Sequence, residues 1–437
     1  MMKKQGTGNM LLKAGLTAMI WILAFQSPLE SVWGPFSYID EVTALFGACL
    51  GLYDIVIVRK CRPGKDQLWM GIPLLIFVAI GLAGNLIYQY QPLKCVIIDL
   101  YTNLKFFFAI GTGYYLFVNL DWEETGKIAR RNAALIASIL FVIFLVDQVF
   151  HFWPSEVKYG IYSAKLFYYH PTYLAGAMAF LLMLLTVFYQ KKNLPFIAMA
   201  VVMMAFTLRA KAIASAAMYV AMFVFFIVLK LHLKLWHVVV AGAGVVAIGW
   251  EKIRIYFLDN PGKWPRSVML TTSFRVMQDY APIGTGFGTF GSAEAGKHYS
   301  AVYHKYGFND YFYLRDAGDI ENTLRLIHED GWLTYLYQSD PEAYLYGHSY
   351  MSDHFWPTIF GQVGYLGTAV FLFILAVLLK KCLSVVKYDL LTYVGVLFAF
   401  VFLLISSAAE PAFHNLVAIP LAVVMGMVFA RVDAQKA

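Results

Sequence analysis

Apolar runs follow one another along most of the chain, at 10–27, 38–58, 67–88, 93–120, 128–152, 170–189, 194–208, 211–229, 235–252, 354–379, 388–408 and 412–430. Most come near the ~20 residues that a helix needs to cross a bilayer core. In lipid a helix satisfies its own backbone hydrogen bonds, so these runs predict about twelve transmembrane helices. The pair 194–208 and 211–229 rests on a very short separator, Arg209-Ala210-Lys211. One stretch breaks the pattern: residues 254–352 are polar. Ordered loops longer than about 15 residues usually carry function, so this stretch is the first place to look for a working part. The expectation is an all-α polytopic membrane protein with one long external loop before the last three helices. Its parts are membrane helices over 1–253, the loop over 254–352, and further membrane helices over 353–437. The loop is long enough for short helices of its own, and Asp319 to Tyr337 is one candidate.

Positive charge sets the orientation. With Lys3, Lys4 and Lys13 in the cytoplasm, alternate turns carry Arg59, Lys60, Arg62 and Lys65, then Lys127, Arg130 and Arg131. Lys191 and Lys192, Lys230 and Lys234, and Lys380, Lys381 and Lys387 follow on the same side, and Arg431 and Lys436 close the chain inside. Both termini are then cytoplasmic and the long loop faces outward. The scheme holds only if Arg209-Ala210-Lys211 is an external turn.

Composition narrows the class. The 437 residues are 60% hydrophobic and 14% charged, against roughly 25% charged in soluble domains. The formal charge of +7 sits mostly in short turns between apolar runs, which reads as topology and not as a nucleic-acid surface. The four cysteines, Cys49, Cys61, Cys95 and Cys382, show no metal spacing and none lies in the loop, so neither a zinc site nor a disulfide framework is expected. The first run lacks a small-residue cleavage site and reads as a retained span.

Several polar residues carry chemistry. Arg209 and Lys211 lie at the external boundary between apolar runs, where an ionised group usually has a partner or a job. They could grip a phosphate, or they could anchor a helix end by snorkelling. Arg275 lies in the loop, ten residues before Thr285-Gly286-Phe287-Gly288. Such a glycine-rich turn can aim backbone N–H groups at an anion, though a plain bend is the commoner use. It is not a Walker loop, since no Gly-Lys-Ser/Thr follows. Asp353, His354 and His348 cluster where the loop re-enters the membrane. One of them could take a proton from a hydroxyl, and Asp353 could equally cap the next helix. His170, before Pro171, opens a span on the external side and either lines the same pocket or serves only as structure. Asp99, Lys105 and Asp147 could pair inside the bundle or line a cavity, and Glu410 and His414 could face it from the last external turn. The loop's aromatic residues, Tyr303 and Tyr306 among them, could stack on sugar rings or pack the loop itself.

Taken in order, these pieces resemble the superfamily of O-antigen polymerases and O-antigen ligases, bacterial envelope glycosyltransferases with a GT-C-like membrane fold. The layout resembles that family over the whole chain, and the motifs do so over roughly 170 to 370. They are His170-Pro171-Thr172-Tyr173, Leu208-Arg209-Ala210-Lys211, Phe274-Arg275 with Gly284-Thr285-Gly286-Phe287-Gly288-Thr289-Phe290, and Asp353-His354-Phe355-Trp356 through Gly364-Tyr365-Leu366-Gly367. One departure concerns the base: where the ligases carry a histidine, this chain has Asp353, with His354 beside it and His348 upstream. That tilts the resemblance toward the Wzy-type polymerases.

The resemblance implies a multi-pass protein of the bacterial cytoplasmic (inner) membrane. Its donor and acceptor would be glycans linked to polyprenyl (undecaprenyl) pyrophosphate, with membrane lipids around it and a flippase and a chain-length regulator as protein partners. No cofactor and no metal is implied, and no nucleic acid. Arg209, Lys211, Arg275 and His170 would bind substrate, and Asp353, His354 or His348 would supply the base. An O-antigen ligase, which passes a finished glycan to lipid A-core or another acceptor, is the alternative within the family. A transporter or flippase is the rival outside it. The large loop after the ninth helix breaks the repeated halves common in transporters.

Overall fold

The computed structural model describes residues 3–60, 65–116, 120–153, 155–158, 160–230, 265–297, 300–306 and 355–436, with single positions at 244, 247, 250 and 254. The expected span at 235–252, the candidate loop helix from Asp319 to Tyr337, and Asp353, His354 and His348 therefore lie outside the described residues, the span apart from its single positions.

The described chain is helical almost throughout. In order come α1 (Lys3–Ala24), α2 (Gln26–Val32), α3 (Ile39–Tyr53), α4 (Lys65–Tyr88), α5 (Leu93–Leu116) and α6 (Trp122–Phe150). Then follow α7 (Pro171–Val187), α8 (Leu194–Phe206), α9 (Ala210–Phe223), α10 (Pro265–Asp279) and the short α11 (Ala293–Lys297) and α12 (Ala301–Lys305). The last three are α13 (Phe355–Ser384), α14 (Leu390–Ser407) and α15 (Ala418–Lys436). One small antiparallel pair, β1 (Val157–Lys158) and β2 (Ile161–Tyr162), is the only strand pairing among the described residues.

Among the described residues, seven stretches are long and apolar enough to cross a membrane: Gly34–Val58, Leu68–Tyr88, Trp122–Phe150, Ala210–Val228, Phe355–Lys387, Leu390–Ser407 and Ala418–Gln435. An eighth forms if Met10–Ala24 and Gln26–Val32, bent by 77°, count as one broken span. Their outer faces carry exposed apolar side chains such as Leu75, Leu86, Val142 and Val149. A soluble monomer rarely leaves so much apolar surface uncovered. The chain is a multi-pass helical membrane protein.

Two helices form the centre. α7 is buried along nearly its whole length against α8, α14 and α6. α5 packs between α3 and α15, and the backbones nearly touch at Gly47 and Gly113. A Cβ at Gly113 would collide with the Val423 carbonyl. In lipid, where no hydrophobic force drives helix to helix, small residues of this kind let backbones approach and gain dispersion contact.

The chain breaks between α8 and α9, as the basic separator predicts. Leu208 takes φ 50°, a conformation that bulky residues adopt rarely, and Arg209 then starts α9. The preceding loop docks on this break: the Ala164 amide donates to the Phe206 carbonyl at 2.7 Å and the Ser163 hydroxyl to the Thr207 carbonyl at 2.7 Å.

The glycine-rich segment has a different role from the anion cradle considered above. Residues 284–291 enter the bundle as a strap between α4, α5 and α13, and Thr285, Phe287, Thr289 and Phe290 are fully buried. The strap's amides are spent on the protein. Thr285 donates to the Gly361 carbonyl at 3.0 Å and Gly286 to the Gln362 carbonyl at 2.8 Å. Phe287 donates to Asn85 Oδ1 at 2.8 Å and Gly288 to Asp99 Oδ2 at 2.9 Å. Gly286 has φ 96°, and a Cβ there would sit 2.5 Å from Asn85. α13 opens to receive the strap: Gly364 has φ 60° and ψ −160° inside the helix, and the Leu366 amide turns to the Pro282 carbonyl at 3.0 Å.

Candidate functional site

Three separate elements bring charge to one end of the bundle. Arg209 precedes α9 and Lys211 lies in its first turn. The positive end of the helix dipole disfavours cations there, so partners are expected, and both residues have one. Arg209 Nη2 pairs with Glu156 Oε1 at 2.9 Å, and Lys211 pairs with Glu410. Lys158 Nζ holds the other oxygen of Glu156 at 2.8 Å. Glu156 comes from the loop before β1, and Glu410 from the turn between α14 and α15.

The two ion pairs differ in kind. Lys211 and Glu410 are 13% and 11% exposed at their side chains, whereas Glu156 is 50% exposed. A pair with a half-exposed partner is worth about 0–1 kcal/mol and exchanges readily for another anion. Arg209 Nε is buried and has no hydrogen-bond partner among the described residues. Its guanidinium thus holds Glu156 on one side and keeps a donor in reserve. Burial raises the Glu156 pKa, but Lys158 and Arg209 outweigh that and hold the carboxyl below its ordinary value.

His170 caps α7: Nδ1 accepts from the Thr172 amide at 3.2 Å. A neutral ring that accepts at Nδ1 carries its proton on Nε2. Burial, and then the positive charge of Arg209 and Lys211, push the His170 pKa down to about 4. At neutral pH it is therefore an uncharged cap beside the two cations with an Nε2–H to donate, and it adds no positive charge.

Arg275 is carried by α10 and stands exposed. No hydrogen bond or ion pair among the described residues ties it to the Arg209 group. An aromatic wall runs between the two regions. Phe274 stacks on Phe360 at 5.3 Å, Phe360 meets Trp356 at 6.0 Å, and the Trp356 indole N–H donates to Ser407 Oγ at 3.1 Å, three residues before Glu410.

The other ionisable groups form a second, inner network. Lys105 Nζ bonds Asp40 at 2.7 Å and Glu41 at 3.4 Å, and Gln26 donates to Asp40 at 2.7 Å. Asn103 donates to Asp99 Oδ2 at 3.1 Å and meets His414 Nε2 at 3.1 Å. His414 lies in the α14–α15 turn, where burial, with Lys105 adding, pushes its pKa down to about 3. Asp147 accepts from the Trp153 amide at 3.0 Å, which is a structural use. Tyr303 is fully buried against Phe290 and donates no face to a ligand, so it packs the loop and does not stack on sugars. Among the described residues, no group of three or more His, Cys, Asp or Glu side chains could hold a metal ion.

Sequence reasoning missed Glu156 and Asn103. Glu156 is the only acid between Asp147 and His170, and nothing in the sequence ties it to Arg209, 53 residues further on. The chain matches no family model and no curated protein.

Proposed function

We propose that this protein is a Wzy-type polysaccharide polymerase with about twelve spans and its long loop outside. It joins polyprenyl-pyrophosphate-linked oligosaccharide repeat units at the outer face of the cytoplasmic membrane. The observation that supports this reading best is the Arg209 group. Arg209 and Lys211 stand at one end of the bundle, and Arg209 has a buried donor with no partner among the described residues and a half-exposed partner carboxylate that another anion can replace. A pyrophosphate at the membrane boundary fits that chemistry, since arginine binds phosphate oxygens through a fork and lysine as a point charge.

In the proposed reaction an acceptor sugar hydroxyl attacks the anomeric carbon of the donor. The new glycosidic C–O bond forms as the bond to pyrophosphate breaks, the bonding pair leaves with the polyprenyl pyrophosphate, and the hydroxyl proton passes to a base. Asp353, His354 and His348 are the candidates for that base. Arg209 and Lys211 stabilise the charge on the leaving group, with Arg275 brought in from the loop side. His170 holds the start of α7 beside them and offers a neutral donor. Exchange of pyrophosphate for Glu156 couples substrate binding to release of the Arg209 pair.

The test uses the purified protein in bilayers with lipid-linked repeat units. The parent makes a ladder of lengths. Arg209→Ala lowers turnover by about 10²–10³-fold, the usual effect of losing a preorganised donor to developing charge. Normal ladders from Arg209→Ala and Arg275→Ala, at normal protein levels, would defeat the reading.

A further inference from the structure

At the end of the bundle opposite Arg209, α4, α5 and α13 part to leave a cleft of about 600 Å³. Its mouth carries Lys380, Lys381, Ser384 and Tyr114. Lys381 Nζ lies 3.0 Å from Asp433 and over the rings of Phe429 and Tyr114, at 5.3 and 5.6 Å. The Tyr114 hydroxyl donates to the same carboxylate at 3.1 Å. Lys380 is exposed at the rim, and Arg59 is near enough to Tyr114 and Tyr115 to act on them electrostatically.

A second groove, of about 520 Å³, runs on from this cleft between α4 and α13. Trp69 and Phe373 line both, and the rest of the groove is wholly apolar, with Ile72, Ile76 and Ala369 along it. From Lys381 back to Ala369 is about 18 Å of helix at 1.5 Å per residue. That is close to one leaflet of a ~30 Å hydrocarbon core.

A mouth with an exposed lysine beside the Lys381–Asp433 pair, opening into an apolar groove one leaflet deep, has the shape of a single phospholipid. We propose that this cleft binds an anionic phospholipid, with its phosphate at Lys380 beside the Lys381–Asp433 pair and an acyl chain along α4 and α13. The charge at the mouth selects the occupant. Basic residues at this end mark the side that the charge rule assigns to the cytoplasm, where anionic lipids concentrate. A zwitterionic lipid offers the lysines no net charge. The site is independent of the glycan reaction and lies away from Arg209.

The test places a photo-crosslinking benzoylphenylalanine at Phe373 of the full-length protein in vesicles with equal phosphatidylglycerol and phosphatidylcholine. After illumination the adducts are weighed by mass spectrometry. The expected result is a phosphatidylglycerol adduct that dominates the phosphatidylcholine one. Lys380→Gln lowers that preference by about five-fold, the worth of one lysine at an anionic surface. Ala369→Trp, which fills the groove, removes the adduct in a protein that still melts normally. Equal labelling of both lipids, or crosslinking to another segment of this chain in place of lipid, would overturn the proposal.

Discussion

Arg209 and Lys211 flank the first residue of α9, where the helix dipole disfavours positive charge, and each is answered by a carboxylate from another element. The answers are unequal, and so are the expected effects of removing them. Glu410→Gln removes the carboxylate that pairs with Lys211 in a mostly buried setting and should cost about 3 kcal/mol, the low end for breaking a buried pair. Glu156→Gln, at an exposed pair, should cost less than about 1 kcal/mol. Denaturant unfolding in detergent reads both, and equal losses would contradict the ranking. His170 gives a pH effect with a definite sign. Its folded pKa of about 4 lies below the value of 6.5 for a free histidine. The unfolded chain therefore takes up the proton first, and His170 contributes stability that is present above pH 6.5 and declines as pH falls toward 4. His170→Gln should flatten that part of the stability profile, and an unchanged slope would show that the ring is not buried neutral. At this scale the sequence exposed the cations, because charge interrupts an apolar run. It did not expose Glu156, since a lone carboxylate in a polar loop has no periodicity and its partner stands 53 residues away.

The strap and the broken helix that receives it belong to the scale of elements. The glycines at 284, 286 and 288 read equally well as an anion cradle or as a bend, because both need positive φ and close approach. The structure decides for packing, since four successive amides from Thr285 to Gly288 are bonded to α4, α5 and α13. Asp99 stands at the join: it accepts from Gly288 and from Asn103, which in turn meets His414 in the turn that also carries Glu410. Asp99→Ala should therefore loosen the strap, leaving polar groups unpaired at about 1–3 kcal/mol. A cysteine at Thr289, fully buried in the parent, should then react with a small thiol reagent. Continued protection would mean that the strap is held without Asp99. Among the described residues most of the apolar runs located a helix, with ends shifted by up to about seven residues, because length and hydropathy are local properties. The break in α13 at Gly364 was not legible: the residue tolerates a kink, but the cause is a strap from 80 residues earlier in the chain.

At the scale of the whole molecule, helix after helix leaves an apolar face uncovered, and a bilayer is what covers it. The charge rule gives a side to each end of this bundle. It assigns Arg209, Lys211, Glu410 and the strap to the outside, and Lys192, Lys380 and Lys381 to the cytoplasm. Single cysteines at Lys158 and Lys192 should label from opposite sides of intact cells, and labelling from one side would contradict that topology. The polymerase reading needs this orientation, because a glycan on a polyprenyl carrier is extended where the Arg209 group can meet its pyrophosphate. The most direct test of that reading is the length of surface polysaccharide in a strain that lacks this protein. Loss of the long ladder, with single repeat units accumulating on their carrier, is the expected result. Long chains that persist on the carrier but never reach their final acceptor would contradict it and identify a ligase.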